Sequence, residues 1–212
     1  MKQSTKERMV MKFMSKQVVK CFFDWEFTGL HQNTTPISLG IVTDSGRNFY
    51  AEFIDYDKSQ VNDWIQVNVL EQMELFPFDD RGLTRIDDMD GFPISMKVKG
   101  DSDYIKSALN EFLSQYKINQ LEFWSDCLSY DWMLFCQLYG GALNIPDYIY
   151  YIPFDICTLF KMKGIDPDIS RIAFSGVGQT VNLHNALNDA MIIRDCYDRL
   201  VEMGGEVNCK QI

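Results

Sequence analysis

The sequence predicts a single α/β domain in which helices flank a mixed β-sheet. The chain has 212 residues, 46% of them hydrophobic, which is enough to bury one sizeable core. Apolar, β-prone segments occur along it beside segments whose apolar residues recur at helical spacing. Three strand-like segments come first, and a fourth follows after two helical ones. This order favours a mixed sheet with helices packed on it.

The N-terminal half is predicted to begin with a three-stranded meander. Asp44-Ser45-Gly46 is a turn signal between the second and third strands, and Asn62 is a suitable N-cap for the helix that follows. The strands are expected at residues 18–24, 36–42 and 48–53, and the helix at residues 63–73. Residues 76–101 are rich in Asp, Gly and Pro, and we expect them to form a long loop or a lid.

The C-terminal half is predicted to contain four helices and one more strand. Asp101 or Ser102 caps the first of these helices and Ser129 caps the second. Gly140-Gly141 stops the second helix. The helices are expected at residues 102–116, 130–139, 154–162 and 184–202, the strand at residues 121–124, and a loop at residues 164–182.

The charge is unevenly distributed along the chain. The formal net charge is −10, which argues against a protein that coats nucleic acid non-specifically. Residues 1–20 nevertheless carry six Lys or Arg against one acid, Glu7. We therefore expect residues 1–16 to be a flexible basic tail and residues 17–212 to be the folded domain.

Cysteine usage and hydropathy indicate a cytoplasmic protein. The six cysteines are scattered and form no C-x-x-C pair, so we expect reduced thiols rather than a disulfide framework or a metal site. The chain contains no apolar run of 18 residues, and this predicts no membrane span. The basic N-terminus has no apolar stretch of the secretory kind.

Two acids interrupt the first predicted strand. Asp24 and Glu26 flank Trp25 in the segment CFFDWEFTGL, and residues two apart in a strand point to the same face. Two carboxylates side by side on a half-buried surface repel each other and resist desolvation. The pair therefore needs either a solvated strand end or a compensating ligand.

Two further acids lie in apolar surroundings. Asp131 falls in the first turn of a predicted helix, where an acid also complements the helix dipole, and Asp189 falls in the largely apolar last helix. Singly, each acid has such a structural explanation. Together with Asp24 and Glu26 they would form a cluster that needs cations, and carboxylate oxygens suit Mg²⁺ or Mn²⁺. Two such ions about 3.5–4 Å apart are the usual catalyst of phosphodiester displacement.

His184 is the candidate general base. Five residues separate it from Asp189, so the two would not share one face of a helix. We expect His184 at the helix entry or in the preceding loop, where an imidazole can deprotonate water near neutral pH. His31 lies in a polar loop segment and is interpreted as a surface residue.

These residues resemble three motifs of the DEDDh 3′–5′ exonucleases, which have the ribonuclease H-like fold. Asp24-Trp25-Glu26 resembles the first motif, D-x-E. Asp131 at a helix start resembles the second, although Asp126 is an alternative there. The segment from His184 to Asp189 resembles the third, H-x-A-x-x-D. The motifs occur in the family's order across residues 24–189. Features such as Asp63-Trp64-Ile65 resemble a compact bacterial branch of exoribonucleases.

The resemblance implies a set of roles and partners. Asp24, Glu26, Asp131 and Asp189 would bind two divalent ions, Mg²⁺ or Mn²⁺, and His184 would activate the attacking water. Phe27 would lie beside the 3′-terminal nucleotide, and Leu30 would wedge against its base. The implied substrate is the 3′ end of a nucleic acid, with RNA favoured, and a homodimer is possible in this family. Lys161, Lys163 and Arg171 are candidates for a basic rim or, equally, for solvated loop charges.

Three other functions compete with an exoribonuclease. A DNA 3′–5′ exonuclease for proofreading or repair would use the same residues, because the contact to the 2′-hydroxyl that identifies RNA depends on geometry. A catalytically inactive module would bind nucleic acid or a protein, but none of the four acids and His184 is missing here. A purely structural α/β domain would leave their arrangement to coincidence.

Overall fold

The structure, a computed structural model, describes residues 17–75, 81–176 and 184–204. Its strands are β1 (Val18–Phe27), β2 (Pro36–Thr43), β3 (Asn48–Phe53), β4 (Gly82–Asp87), β5 (Pro93–Gly100), β6 (Gln120–Ser125) and β7 (Phe154–Asp155). Its helices are α1 (Asp63–Asn68), α2 (Ser102–Leu113), α3 (Ser129–Leu138), α4 (Ile156–Met162), α5 (Arg171–Ser175) and α6 (Ala186–Glu202). The predicted tail, residues 1–16, lies outside the described residues.

The strands form one mixed sheet in the order β4-β5-β3-β2-β1-β6-β7. β1 lies inside the sheet, antiparallel to β2 and parallel to β6. The predicted meander of β1, β2 and β3 is confirmed by the antiparallel pairing of its strands. In its register Asp24 lies opposite Gly40, and Glu26 lies opposite Ser38. The two acids therefore sit near the C-terminal end of an internal strand.

The two faces of the sheet carry separate cores. Alternate residues of β1, including Phe23 and Trp25, pack beneath α2 and α3. Phe22 points to the opposite face and packs with apolar residues of α4, α5 and α6. Each fully buried side chain of this size contributes about 1.5–3 kcal/mol relative to exposure. Both faces of β1 are thus covered, and Asp24 and Glu26 share the face of Phe22, beneath α6.

The expectation of a long loop or lid at residues 76–101 is wrong. β4 and β5 form an antiparallel pair there, and β5 also pairs in parallel with β3. Met96 and Val98 of β5 are fully buried in the core beneath α2. β4 is an edge strand whose mostly exposed residues give little hydrophobic signal. Residues 76–80 lie outside the described part of the chain.

Several element ends differ from prediction. The helix expected at residues 63–73 is α1 followed by a 3₁₀ turn at Leu70–Gln72. The loop expected at residues 164–182 contains the short helix α5, and its residues 177–183 are not described. Ser129 is the first residue of α3 rather than its side-chain cap. Asn62 and Asp101 do cap α1 and α2, each accepting from a backbone N–H.

The last helix begins at Ala186 rather than at His184. Asn185 is its N-cap, because its Oδ1 accepts from the N–H groups of Leu187 and Asn188, each at 3.2 Å. His184 stands before the cap, as the sequence predicts. Across the described ranges, no helix is both long and apolar enough to cross a membrane.

Candidate active site

The internal strand β1 supplies two of the site's carboxylates. Asp24 and Glu26 are half-buried, while Trp25 between them is buried in the opposite core. That burial fixes the strand and directs both acids toward α6. No side chain or backbone group in the described ranges donates a hydrogen bond to either carboxylate. Neither charge is therefore compensated in the way that most buried acids are.

The N-terminal turn of α6 supplies Asp189. The backbone of this turn lies very close to the sheet, since a Cβ on Gly40 would overlap the backbone of Ala186 and Leu187. Gly40 is the residue paired with Asp24 in β2. A side chain at this position would force α6 off the sheet, so the glycine brings Asp189 close to Asp24.

Helix α3 supplies Asp131, the most deeply buried of the four acids, with 5% of its surface exposed. The hydroxyl of Ser125, the last residue of β6, donates to its Oδ2. The preceding residue, Tyr130, stacks on Phe27 of β1, with ring centroids 5.4 Å apart. The strand end, the helix start and the aromatic pair together direct Asp131 toward β1.

The electrostatics show that the four acids converge. Burial raises the pKa of Asp24 well above its usual range, and the charges of Asp131, Asp189 and Glu26 raise it further. Burial, followed by Asp189 and Asp131, raises the pKa of Glu26 to about 8. Four carboxylates this close cannot all ionise without cations.

Burial is also the main reason why the pKa values of Asp131 and Asp189 are raised. It raises the pKa of Asp131 to about 7, although the hydrogen bond from Ser125 lowers it. It raises the pKa of Asp189 to about 7, although the backbone N–H of His184 lowers it. That N–H donates to Asp189 Oδ2 at 3.0 Å. These two acids thus have some internal support, unlike Asp24 and Glu26.

His184 stands over the cluster in an uncommon backbone conformation. Its φ of 61° lies in the left-handed region, which non-glycine residues rarely adopt. A ring nitrogen of His184 and one carboxylate oxygen each of Glu26 and Asp189 lie within 4.8 Å of one another. Trp64 of α1 contacts the imidazole edge to face, with centroids 5.1 Å apart. The histidine therefore lies beside the acids, as the sequence predicts, whereas His31 is exposed.

Asp126, the alternative second-motif acid, has a different environment. Arg171 donates from Nε to its Oδ2 at 2.7 Å and from a terminal nitrogen to its Oδ1 at 2.9 Å. The guanidinium also donates to the backbone carbonyls of Pro167 and Ile169. Asp126 is thus neutralised and Asp131 is not. Arg171 is committed to internal contacts rather than to a solvated basic rim.

Lys161 and Lys163 lie on the C-terminal end of α4. Lys161 is exposed and Lys163 is half-buried. Neither of them lines the cleft that contains Asp24, Asp126, Arg171 and Asp189. The structure therefore places no lysine of this group at the acid cluster.

The two predicted substrate contacts lie at the rim. Phe27 forms the stack with Tyr130, and Leu30 projects from the loop after β1 with 77% of its surface exposed. Thr28 organises that loop, since its Oγ1 accepts from the N–H of Thr35 at 2.9 Å. The exposed Leu30 side chain thus projects from a loop whose backbone is fixed by hydrogen bonds.

Sequence reasoning missed the supporting roles of three residues. Gly40 interrupts an apolar strand, a signal of close backbone approach that was available in the sequence. Ser125 and Trp64 gave no such signal, because a serine at a strand end and an exposed aromatic on a short helix are common.

Two cavities flank this region. Two of the four acids, Asp24 and Asp189, line the smaller one, about 270 Å³, together with Asp126, Arg171 and Ile192. The larger one, about 540 Å³, lies beside α1 and includes one acid, Glu71, among its lining residues. The smaller cavity is the candidate site because Asp24 of β1 and Asp189 of α6 both line it. A donor set of carboxylate oxygens fits a hard divalent cation such as Mg²⁺ or Mn²⁺.

The chain resembles exoribonucleases in sequence and a metal-bound protein in structure. No protein-family model matches it. The 3'-5' exoribonuclease Rv2179c of Mycobacterium tuberculosis is 23% identical over 146 residues, covering 69% of this chain and 76% of the relative. The 3'-5' exoribonuclease of a second strain of that organism matches equally well.

The structural comparison identifies the fold. Pop2p of S. pombe, in its Mg²⁺- and Mn²⁺-bound form, matches with a TM-score of 0.52 at 10% identity. The match covers 91% of this chain and 86% of Pop2p. The predicted α/β class with a ribonuclease H-like mixed sheet is confirmed.

Proposed function

We propose that this distant relative of the mycobacterial 3'-5' exoribonucleases is itself a metal-dependent 3′–5′ exoribonuclease of the DEDDh type. The observation that carries the proposal is the convergence of Asp24, Glu26, Asp131 and Asp189 beneath His184. Burial raises the pKa of all four acids, and the charges of the neighbouring cluster acids raise the pKa of Asp24 and of Glu26 further. A cluster of this kind is unfavourable for folding alone, and it suits a site that holds cations.

The four acids fit two divalent ions, Mg²⁺ or Mn²⁺. When bound, such ions activate water and stabilise the charge that develops on the leaving 3′-oxygen. The chain's own contribution is to present carboxylates with raised pKa values, about 8 for Glu26 and about 7 for Asp131 and Asp189. The Ser125 hydroxyl donates a hydrogen bond to the Asp131 carboxylate, and the backbone N–H of His184 donates one to the Asp189 carboxylate. These bonds orient the two side chains. No donor in the described ranges occupies the carboxylate oxygens of Asp24 or Glu26, and these oxygens can therefore serve as ligands.

His184 acts as the general base in this proposal. Its imidazole lies within 4.8 Å of carboxylate oxygens of Glu26 and Asp189, so it can take a proton from water held between them. Trp64 covers one edge of the ring and limits its rotation. The left-handed backbone conformation of His184 is strained, and the capping hydrogen bonds of the adjacent Asn185 stabilise it.

The substrate's 3′ end enters between the loop after β1 and helix α3. Phe27, stacked on Tyr130, offers an aromatic wall, and exposed Leu30 offers an apolar edge for a terminal base. Stacking of a base on an aromatic ring contributes about 1–3 kcal/mol. RNA is favoured because the curated relatives are exoribonucleases. DNA hydrolysis by the same residues is the second candidate.

The test is a time course on 5′-labelled single-stranded RNA and on DNA of the same sequence, with Mg²⁺, with Mn²⁺ and with EDTA. We expect a ladder that shortens from the 3′ end, faster on RNA, and absent with EDTA or in Asp24→Ala. Asp147→Asn, an exposed acid near the start of β6, is the control and should match the wild type.

Each outcome of this assay is informative. Faster shortening of DNA would select the DNA exonuclease. Internal cuts that do not progress from the 3′ end would contradict the proposed polarity. No cleavage of either strand, with binding retained, would overturn the enzyme in favour of an inactive nucleic-acid-binding module.

A further inference from the structure

Two cysteines meet at the ends of neighbouring parallel strands. Ser125 of β6 is paired with Asp155 of β7, and Cys127 and Cys157 each lie two residues further along the chain. Their sulfur atoms lie 3.8 Å apart.

Asp155 holds the two cysteine-bearing segments together. Its Oδ1 accepts from the N–H of Cys157 at 2.6 Å, and its Oδ2 accepts from the N–H of Leu128 at 3.3 Å. One carboxylate thus joins the first turn of α4 to the loop before α3. The two sulfurs then have to close only the difference between 3.8 Å and a disulfide bond length of about 2.05 Å.

The same sulfurs are poorly placed for a metal ion. Cys157 and Asp126 would be its ligands together with Cys127. Arg171 already donates to both of them, to Cys157 Sγ at 3.2 Å. A cation there would have to displace a guanidinium, so the chemistry open to the pair is oxidation.

We propose that Cys127 and Cys157 form a reversible disulfide that tethers the loop before α3 to the first turn of α4. The oxidant is a small disulfide such as oxidised glutathione. The exposed Cys127 thiolate attacks one of its sulfurs and one glutathione thiol leaves. Cys157 then attacks the mixed disulfide, loses its proton to solvent and releases the second glutathione thiol.

The surroundings keep the pair reduced until such an oxidant arrives. Burial and the charge of Asp126 raise the pKa of both thiols, which slows their attack on disulfides. Among the other cysteines of the described ranges, Cys21 and Cys196 are buried and Cys136 is half-buried on α3. The exposure of Cys127 therefore makes it the point of entry. The disulfide does not depend on the nuclease proposal.

The test uses the full-length protein treated with oxidised glutathione, alkylated and digested. Lys and Arg are absent between Lys117 and Lys161, so trypsin leaves Cys127, Cys136 and Cys157 in one peptide. Chymotrypsin, which cleaves after large apolar residues, separates them. We expect a Cys127–Cys157 cross-link, a fall from six free thiols to four, and recovery of six with dithiothreitol.

Variants decide the order of attack. Cys157→Ser should accumulate glutathione on Cys127, whereas Cys136→Ser should cross-link like the wild type. The proposal is overturned if glutathione stays on Cys127 in the wild type without a cross-link. It is also overturned if the cross-linked peptides contain Cys136, or if both thiols react with N-ethylmaleimide as fast after oxidation as before.

Discussion

The same face of the sheet carries two buried acidic regions with opposite environments. Glu26 lies opposite Ser38, and Ser38 lies opposite Glu52, so both glutamates stand in one row across three strands. Glu52 is fully buried, yet its Oε1 accepts from the hydroxyl of Tyr50 at 3.1 Å and from the N–H of Leu75 at 2.8 Å. Lys99 lies 3.9 Å from its other oxygen.

The difference shows how to distinguish a structural acid from a site acid. Glu52 accepts hydrogen bonds from Leu75 and Tyr50 and lies near the Lys99 ammonium group. Each of these groups lowers the pKa of Glu52, whereas burial raises it. Every charge that acts on Asp24 raises its pKa instead. The fold offsets part of the cost of burying Glu52, whereas it leaves Asp24 among other acids, and only a bound cation would offset the cost there.

The largest expected effect is on catalysis. Asp24→Asn should lower turnover by about 10³-fold or more, because losing one cation ligand removes several kcal/mol of transition-state stabilisation. Glu52→Gln keeps an acceptor for Leu75 and should retain activity. Single-turnover assays on 3′-terminal RNA measure both. Equal losses in the two variants would remove the distinction between the regions.

His184→Ala tests the group above the acid cluster. Loss of a general base should reduce the rate by about 10²–10⁴-fold, with RNA affinity little changed. His31→Ala, which removes the exposed histidine of the loop after β1, is the matched control. The single-turnover cleavage rate and the RNA dissociation constant are measured separately, because only the rate should change. An unaltered rate in His184→Ala would remove it as the base.

Gly40→Ala tests the contact that brings Asp189 to Asp24. The new Cβ would overlap the backbone of Ala186 and Leu187, and we expect a loss of about 3 kcal/mol in stability together with a loss of activity. Urea unfolding followed by tryptophan fluorescence measures the first quantity. Gly46→Ala, in the turn after β2, is the control for destabilisation alone, because its φ of 85° strains an alanine and the variant should lose stability but keep activity. A stable, active Gly40→Ala would show that α6 does not need this approach.

The two acidic regions should also respond oppositely in stability. Without metal at pH 8, Asp24→Asn removes the cost of burying this acid among other carboxylates and should stabilise the protein by about 1–2 kcal/mol. Glu52→Ala leaves the N–H of Leu75 and the hydroxyl of Tyr50 unpaired and should destabilise it by about 2–4 kcal/mol. Chemical unfolding in EDTA measures both. Destabilisation by Asp24→Asn would mean that the fold compensates Asp24 after all.

Sequence periodicity and position predicted much of the fold and the placement of the site residues. The two-residue spacing of Asp24 and Glu26 places them on one face of β1, and the spacing from Asp189 correctly keeps His184 outside α6. The roles of these residues in metal binding and catalysis stay predictions. The sequence could not show that Arg171 neutralises Asp126, because that contact joins residues 45 apart in the chain.

The hairpin of β4 and β5 was missed for a physical reason. An edge strand buries little, so its sequence has no apolar alternation to recognise. Asp, Gly and Pro near its turn instead indicate a loop. The strength of a sequence signal thus follows burial, and β2 and β3, in which almost every residue is buried, were located best.

The smallest effect concerns pH, and its sign follows from the raised carboxylate pKa values. Glu26 titrates at about 8, and Asp131 and Asp189 at about 7, against about 4 in the unfolded chain. Between those values the metal-free native state binds more protons than the unfolded state, so its stability falls as pH rises from 4 to 8.

Cations bind the ionised acids, so the stabilisation by Mg²⁺ or Mn²⁺ should grow over the upper part of that window. Melting curves at pH 6 and pH 8, with metal and with EDTA, should show the metal-induced rise increasing by about 2–4 °C for each kcal/mol of linkage. In Asp24→Asn the increase should shrink, whereas in Glu52→Gln it should persist, because Glu52 lies outside the cluster that the cation would neutralise.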